Sequence, residues 1–271
     1  TIREDYSKEG YLSTGTESRD LDLIDKQFKE KFIKNTLLYK LYRMKKFNSF
    51  ISNSAFGEEI LVNRLLQKFS KGVFVDVCAY NPFIGSLTNQ LYKKGWSGLN
   101  LDFSKSNIQL FNFLRKRDIS IQIGVSDKEG VMDSFMFDPS SGTNTLEKKY
   151  ADGWSKNFNK KYEINKIKCK KLTNILDDYD VRKNFEFLNI DVETHDFKVL
   201  KGLDFDTYKP KLITCEIIVD QKKLWDKTNT DYYSSLEDII KSDISKYLQK
   251  YKYKLISHYY LTSFFISQDL Q

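Results

Sequence analysis

Cysteine, histidine and uninterrupted apolar sequence are all scarce in this chain, and each scarcity closes off a class of protein. The three cysteines, Cys78, Cys169 and Cys215, are odd in number and far apart in 271 residues, so neither a disulfide framework nor a cysteine metal site is expected. They read as reduced, mostly buried thiols of a cytoplasmic protein. No run approaches the ~20 apolar residues that span a bilayer, and Thr1–Tyr6 holds no apolar signal core. A soluble protein with no transmembrane segment is expected. Glycine is absent between Asp76 and Gly85, where a pyrophosphate would need several for close backbone approach. That absence disfavours a dinucleotide.

Material for a large core is plentiful. Hydrophobic residues make up 40% and aromatic residues 15% of the chain, which supports one sizeable domain, placed at residues 51–271, with an extension at 1–50. The extension reads as irregular over residues 1–20. From Asp25 to Phe47, Phe28, Phe32, Leu37, Leu38 and Leu41 recur near helical spacing and predict a basic amphipathic helix. Such a helix either packs on its own domain or makes peripheral contact with an anionic membrane. The 44 Lys and Arg against 37 Asp and Glu leave a net charge of +7, which favours an anionic partner such as an acidic glycan, a nucleotide-sugar or a nucleic acid, or serves only to solubilise the surface.

Three segments read as strands that end in acids. Phe187–Gly202 is a buried strand that stops at Asp191 and Glu193 and opens into a helix through His195. Ligands of open α/β sheets sit outside the carboxyl ends of strands, so these side chains project where a substrate binds. An acid at such a turn is equally well explained as an N-cap. Val73–Ser86 reads as strand, acid, turn and then a helix with Pro82 in its first turn. Trp96–Asp102 is a second strand whose terminal carboxylate can take two ribose hydroxyl donors at once. S-adenosylmethionine carries no phosphate, so it tolerates a glycine-poor loop with acids nearby.

Four blocks together resemble the FkbM-type family of S-adenosylmethionine-dependent methyltransferases. Ser54-Ala-Phe-Gly-Glu-Glu59 is similar to its entry motif, and Phe74-Val-Asp-Val-Cys-Ala-Tyr-Asn-Pro82 to its cofactor loop. Tyr92-Lys-Lys-Gly-Trp-Ser-Gly-Leu-Asn-Leu-Asp102 is similar to its second-strand block. Leu188 to Leu203, followed by Tyr208-Lys-Pro-Lys-Leu-Ile-Thr-Cys-Glu216, is similar to its most specific region. The resemblance runs from residue 50 to residue 267. It implies a class I, Rossmann-like α/β fold, mostly parallel with a terminal antiparallel strand and helices on both faces. It also implies S-adenosylmethionine as cofactor, held by Glu58, Asp76, Cys78, Ala79, Tyr80, Asn81, Asp102, Phe103, Ser126, Asp127 and Asp191. Cys78 and Thr194 stand where the family uses glycine. A positive φ at Cys78 costs roughly 1–2 kcal/mol, so altered cofactor binding is one expected consequence.

The remaining elements follow from pattern. Ser104 is expected to cap a helix to Arg117, and Ile119–Val125 to form a third strand, with a turn at Ser126 leading to a hairpin strand, Val131–Phe137. Residues 138–162 read as the least regular stretch of the core and a candidate substrate-covering loop. Ile167–Leu172 reads as an edge strand, with Thr173 capping a short helix to Tyr179. A long helix over Tyr232–Lys250 and an antiparallel edge hairpin of Tyr253–Ser257 with Leu261–Ser267 complete the expectation.

Methyl transfer to a hydroxyl needs an in-line nucleophile and a base for its proton. Asp191, Glu193, His195 and Glu216 are expected to converge at adjacent strand ends, with His195, one of two histidines, as the natural base near neutral pH. Asp191 and Glu216 are alternatively ligands of a divalent cation that lowers a hydroxyl pKa. The reading is an O-methyltransferase acting on a sugar hydroxyl of a glycan, glycolipid or nucleotide-sugar. Its rivals are an RNA or cap ribose methyltransferase and a catalytically silent binding module.

Overall fold

The computed structural model describes residues 52–139, 141–220 and 234–268. The amphipathic helix expected over 25–47 lies outside the described residues. Among those described, the strands are β1 (Val73–Val77), β2 (Ser97–Asp102), β3 (Ile119–Gln122), β4 (Gly124–Val125), β5 (Gly130–Met136), β6 (Glu163–Lys170), β7 (Phe187–Ile190), β8 (Leu212–Glu216), β9 (Tyr253–Tyr259) and β10 (Thr262–Ser267). The helices are α1 (Glu58–Leu65), α2 (Asn89–Lys93), α3 (Lys105–Leu114), α4 (Lys148–Phe158), α5 (Leu172–Asp178), α6 (Asp196–Lys201), α7 (Leu236–Lys241) and α8 (Asp243–Lys250). No helix among the described residues is long and apolar enough to cross a membrane.

A seven-stranded sheet runs in the order β3-β2-β1-β7-β8-β10-β9. The first five of these are parallel, and β10 runs antiparallel to both β8 and β9. The sheet is mostly parallel with antiparallel terminal strands, as the resemblance implies. Consecutive side chains of a strand point to opposite faces, and here neighbours divide cleanly. Val75, Leu188, Ile213 and Phe265 pack in one apolar cluster, while Phe74, Phe187, Leu212 and Phe264 pack in the other. Burying each such side chain is worth roughly 1.5–3 kcal/mol, so a slip of one residue in register would forfeit both faces at once. Phe74 lies flat across Gly98, where a Cβ would come within 1.9 Å of its ring. Glycine there is a packing requirement.

A second sheet, in the order β4-β6-β5, sits beside the first. Here several expectations need correction. The third strand divides at Ile123 into β3 and β4, which belong to different sheets. β5 forms no hairpin with it; its antiparallel partner is β6. β6 is the middle strand of its sheet, paired on both sides, and not an edge.

Helix boundaries differ for reasons of side-chain bonding. No helix begins at Pro82. Asn81 Oδ1 accepts from the amides of Phe83 (2.9 Å) and Ile84 (3.0 Å), which curls the chain into a turn, and helix resumes only at Asn89. Ser104 stands at the N-cap of α3 without capping it, because its hydroxyl donates to the Pro139 carbonyl at 2.5 Å. α3 ends at Leu114 and not at Arg117, since Arg115 turns into the interior. Thr173 lies inside α5 and donates to the Gly202 carbonyl at 3.0 Å. The C-terminal helix breaks at Ser242, whose extended backbone (ψ 154°) and hydroxyl, accepting from the Ser245 amide, start α8 afresh. The stretch 138–162 is not irregular throughout, because it contains α4.

Candidate active site

The parallel strands β1, β7 and β8 end side by side, and their register brings the chain after Ile190 next to Val77 and Cys215. Asp191 and Glu193 leave β7 here, Glu216 ends β8, and Asp196 opens α6 with its Oδ1 accepting from the Glu216 amide at 3.2 Å. The four carboxylates lie close enough to repel one another. Burial raises Glu193, and the Asp191 charge adds to it, while a hydrogen bond from Tyr150 pulls the other way. Burial and then the Asp191 charge hold Asp196 well above its ordinary range. Burial followed by Glu193, Asp191 and Asp196 does the same to Glu216. Asp191 is raised by lost hydration and by Asp76 and Glu58, although water still reaches its surface and limits the first cause. Asp196 Oδ2 and Glu216 Oε2 are buried and have no hydrogen-bond partner. Among the described residues none of the four makes an ion pair, and no group of three or more His, Cys, Asp or Glu side chains has an arrangement that would hold a metal.

The turn that presents these groups is strained. Glu193 (φ 50°) and Thr194 (φ 73°) are both left-handed, the second despite its branched Cβ. Left-handed residues of this kind cost of order 1–3 kcal/mol and persist where the surroundings over-determine them. The surroundings are visible. Thr145 Oγ1 donates to the Glu193 carbonyl at 3.0 Å, and the Tyr150 hydroxyl donates to the Glu193 carboxylate. Segment 145–150, leading into α4, is thus stapled to the turn.

His195 does not join the carboxylates. It is wholly buried at the N-cap of α6, with Nδ1 2.6 Å from Glu147 Oε1 and Nε2 2.9 Å from Ser126 Oγ. Both ring nitrogens are therefore committed. Lys198 also reaches Glu147, and although burial pushes that carboxyl up, the bonds from His195 and Lys198 outweigh it and hold it low. Ser126, equally buried, faces this histidine. Asp127 pairs instead with Lys201 at 3.0 Å.

The loop after β1 is built on internal bonds. The amides of Cys78 and Ala79 donate to the Leu101 carbonyl, at 2.8 and 3.1 Å, and that of Tyr80 donates to Asp102 at 3.0 Å. No fan of free N–H groups remains for a pyrophosphate. Cys78 adopts φ 64° and Tyr80 φ 54°, the left-handed shape that the sequence comparison with a glycine position anticipated for Cys78. Burial and then Asp102, Asp191, Glu193 and Asp196 drive the Cys78 thiol well up, so it is no nucleophile. Asp102 is buried and already receives the Tyr80 and Ser104 amides and Asn107 Nδ2, which leaves roughly one of its four acceptor positions for a ligand. Burial outweighs these donors and raises it to about 6. Beside it a cleft of about 380 Å³ is lined by Phe103, Lys105, Gln122, Met136 and Lys166.

Asp76 is a brace beneath this loop. It accepts from Asn189 Nδ2 (2.8 Å) and Thr88 Oγ1 (2.9 Å) at 2% exposure. Glu58 is likewise buried and accepts the Phe56 amide at 2.9 Å. The sequence reading missed Arg115, a fully buried guanidinium that donates to Thr88 Oγ1 (2.8 Å), Ser86 Oγ (2.9 Å) and the Pro82 carbonyl, and so shapes residues 82–88. It also missed Glu147 and Tyr150, which stand in the stretch read as loop.

Comparison with known proteins adds one strong match. Residues 76–255 match the model of the family described as methyltransferase FkbM domain. No curated protein sequence matches the chain. Among solved structures, a candidate caffeoyl-CoA O-methyltransferase from Staphylococcus aureus is similar at 10% identity over 92% of this chain and 99% of that one, with a TM-score of 0.38, a likeness too loose to bear on chemistry.

Proposed function

This chain belongs to the FkbM methyltransferase domain family, and from that premise we propose that it is an S-adenosylmethionine-dependent O-methyltransferase whose acceptor is a sugar hydroxyl. The observation that carries the proposal is Glu193, an acid pushed toward neutrality at the strand ends and oriented by Tyr150. A carboxylate tuned in this way is a competent general base at neutral pH. The donor set fits the cofactor, since a loop whose amides at Cys78, Ala79 and Tyr80 are already bonded suits a ligand without phosphate, and a carboxylate cluster suits its cationic end. Bound S-adenosylmethionine would supply a methyl group on a positively charged sulfur. In this reading Glu193 takes the hydroxyl proton, Asp191 accepts the acceptor's neighbouring hydroxyl, and Tyr150 holds Glu193 in place. The role assigned to His195 in the sequence reading passes to Glu193, because both nitrogens of the histidine are bonded away from the site. His195 positions Glu147 and Ser126. An RNA acceptor is less well supported, since its phosphates would approach four carboxylates.

Calorimetry with S-adenosylhomocysteine and methyl transfer from labelled S-adenosylmethionine to a glycan panel test the proposal. Micromolar binding and transfer to hydroxyls are expected, with Glu193→Gln losing about a hundredfold in kcat at unchanged cofactor affinity. Glu193→Gln with full turnover would overturn the assignment of the base, and a folded protein that does not bind S-adenosylhomocysteine would overturn the enzyme.

A further inference from the structure

We propose that the acceptor carries a positively charged amine close to the methylated hydroxyl, as an amino sugar does, and that Asp196 and Glu216 recognise it. The inference rests on the methyltransferase reading and narrows its substrate. Asp191, Glu193, Asp196 and Glu216 crowd one site at the ends of β7 and β8, and among the described residues none of them is paired with Lys, Arg or His. Each faces the others, and the cause of every rise is burial or another acid; the only relief comes from neutral donors.

Two of these groups have oxygens that point to a missing partner. Asp196 is 2% exposed, yet among the described residues its Oδ2 has no hydrogen-bond partner, and neither has the buried Glu216 Oε2. Buried carboxylate oxygens without donors are expensive, and a ligand that donates charge-assisted hydrogen bonds removes that expense. The cofactor alone does not supply enough charge. Its carboxylate offsets one of its two cations, which leaves one positive charge against four acids. An ammonium on the acceptor raises the net positive charge from one to two and brings three donors, and it also favours the ionised form of the base. An anionic acceptor, which the net charge of the chain favours by itself, would meet repulsion from these four carboxylates, none of which pairs with a lysine among the described residues.

The test uses the full chain saturated with S-adenosylhomocysteine and three probes: a glucosamine trimer, an N-acetylglucosamine trimer and a galacturonic acid trimer. Calorimetry at neutral pH and low salt should show the glucosamine trimer binding about tenfold tighter than its acetylated counterpart, the galacturonic acid trimer binding most weakly, and the margin shrinking as salt rises. Glu216→Gln and, separately, Asp196→Asn should erase most of that margin while S-adenosylhomocysteine still binds. Equal affinity for the amine and its acetamide, or a preference for the acidic trimer, overturns the proposal and leaves the methyltransferase reading standing. If S-adenosylhomocysteine itself fails to bind, both fall. A margin that magnesium ions abolish at millimolar concentration would assign the carboxylates to a metal and overturn the amine.

Discussion

The hydroxyl of Tyr150 donates its hydrogen bond to the carboxylate of Glu193, joining α4 to the turn after β7. Tyr150 is almost completely buried, so this bond both orients the acid and closes one wall of the site. Trp154 and Phe158 extend the same face of α4, stacked at 4.3 Å from each other. A helix that first reads as a loop thereby becomes one wall of the candidate site.

Removing that hydroxyl should change the chemistry more than the fold. The bond from Tyr150 opposes the rise of Glu193, so Tyr150→Phe should lift the acid further and move the acid limb of the kcat/KM profile to higher pH. The rate at neutral pH should fall about tenfold. A pH-rate series measures both, and an unmoved limb would exclude Glu193 as the base.

His195→Asn should act on stability first. Glu147 and Ser126 would lose a buried partner, and leaving such groups unsatisfied costs about 1–3 kcal/mol, visible as a lower urea midpoint. The residual activity should keep the wild-type pH profile, since the histidine does not exchange the proton. Loss of the profile's acid limb would return the base to His195.

The ligand-free protein should be most stable on the acid side of neutrality. Asp102 and Asp118 are each raised to about 6 by burial, and the four acids of the site are raised as well. A carboxyl raised on folding contributes stability that is full below its unfolded pKa of about 4 and lost as pH climbs through the folded value. Tm should therefore fall from pH 5 to pH 8. Glu147 works in the opposite sense, being held low by His195 and Lys198, so its contribution disappears as the pH drops below about 4. Scanning calorimetry across this range reads the sign directly, and a Tm that climbs toward pH 8 would mean the acids are compensated in solution.

Thr194→Gly should stabilise the chain. Its φ of 73° suits glycine, and relief of a left-handed branched residue, less the entropy that glycine adds to the unfolded chain, leaves a gain of about 0.5–1 kcal/mol. The urea midpoint should rise while cofactor affinity holds. A lower midpoint would show that the threonine side chain contributes packing that outweighs the strain.

The strands of the larger sheet and the acids that end them were legible from local pattern, and the family from four blocks that resemble it. A strand buried on both faces reads as an apolar run, and the residue that ends it reads as an acid, because both properties are local to five or six residues. The buried roles of Asp76 and Arg115 were not legible, since the two stand 39 positions apart in the chain and share Thr88, while Asp76 also takes a bond from Asn189 far along the sequence. The same holds for Glu147, whose contacts with His195 and Lys198 span about fifty residues.

What the sequence by itself determined is the set of groups: three acids, Asp191, Glu193 and Glu216, near the ends of β7 and β8, a glycine-poor loop after β1, and left-handed positions marked by family glycines, whereas Asp196 emerged only from the structure. Tertiary structure alone decided which of them stay open to water. His195 and Asp191 lie only four residues apart, yet one is sealed among Ser126 and Glu147 while water reaches the other. That difference comes from the half-turn of backbone between them and from the elements packed against it. Spacing along a chain specifies distance between Cα atoms, whereas burial depends on every segment that arrives from elsewhere.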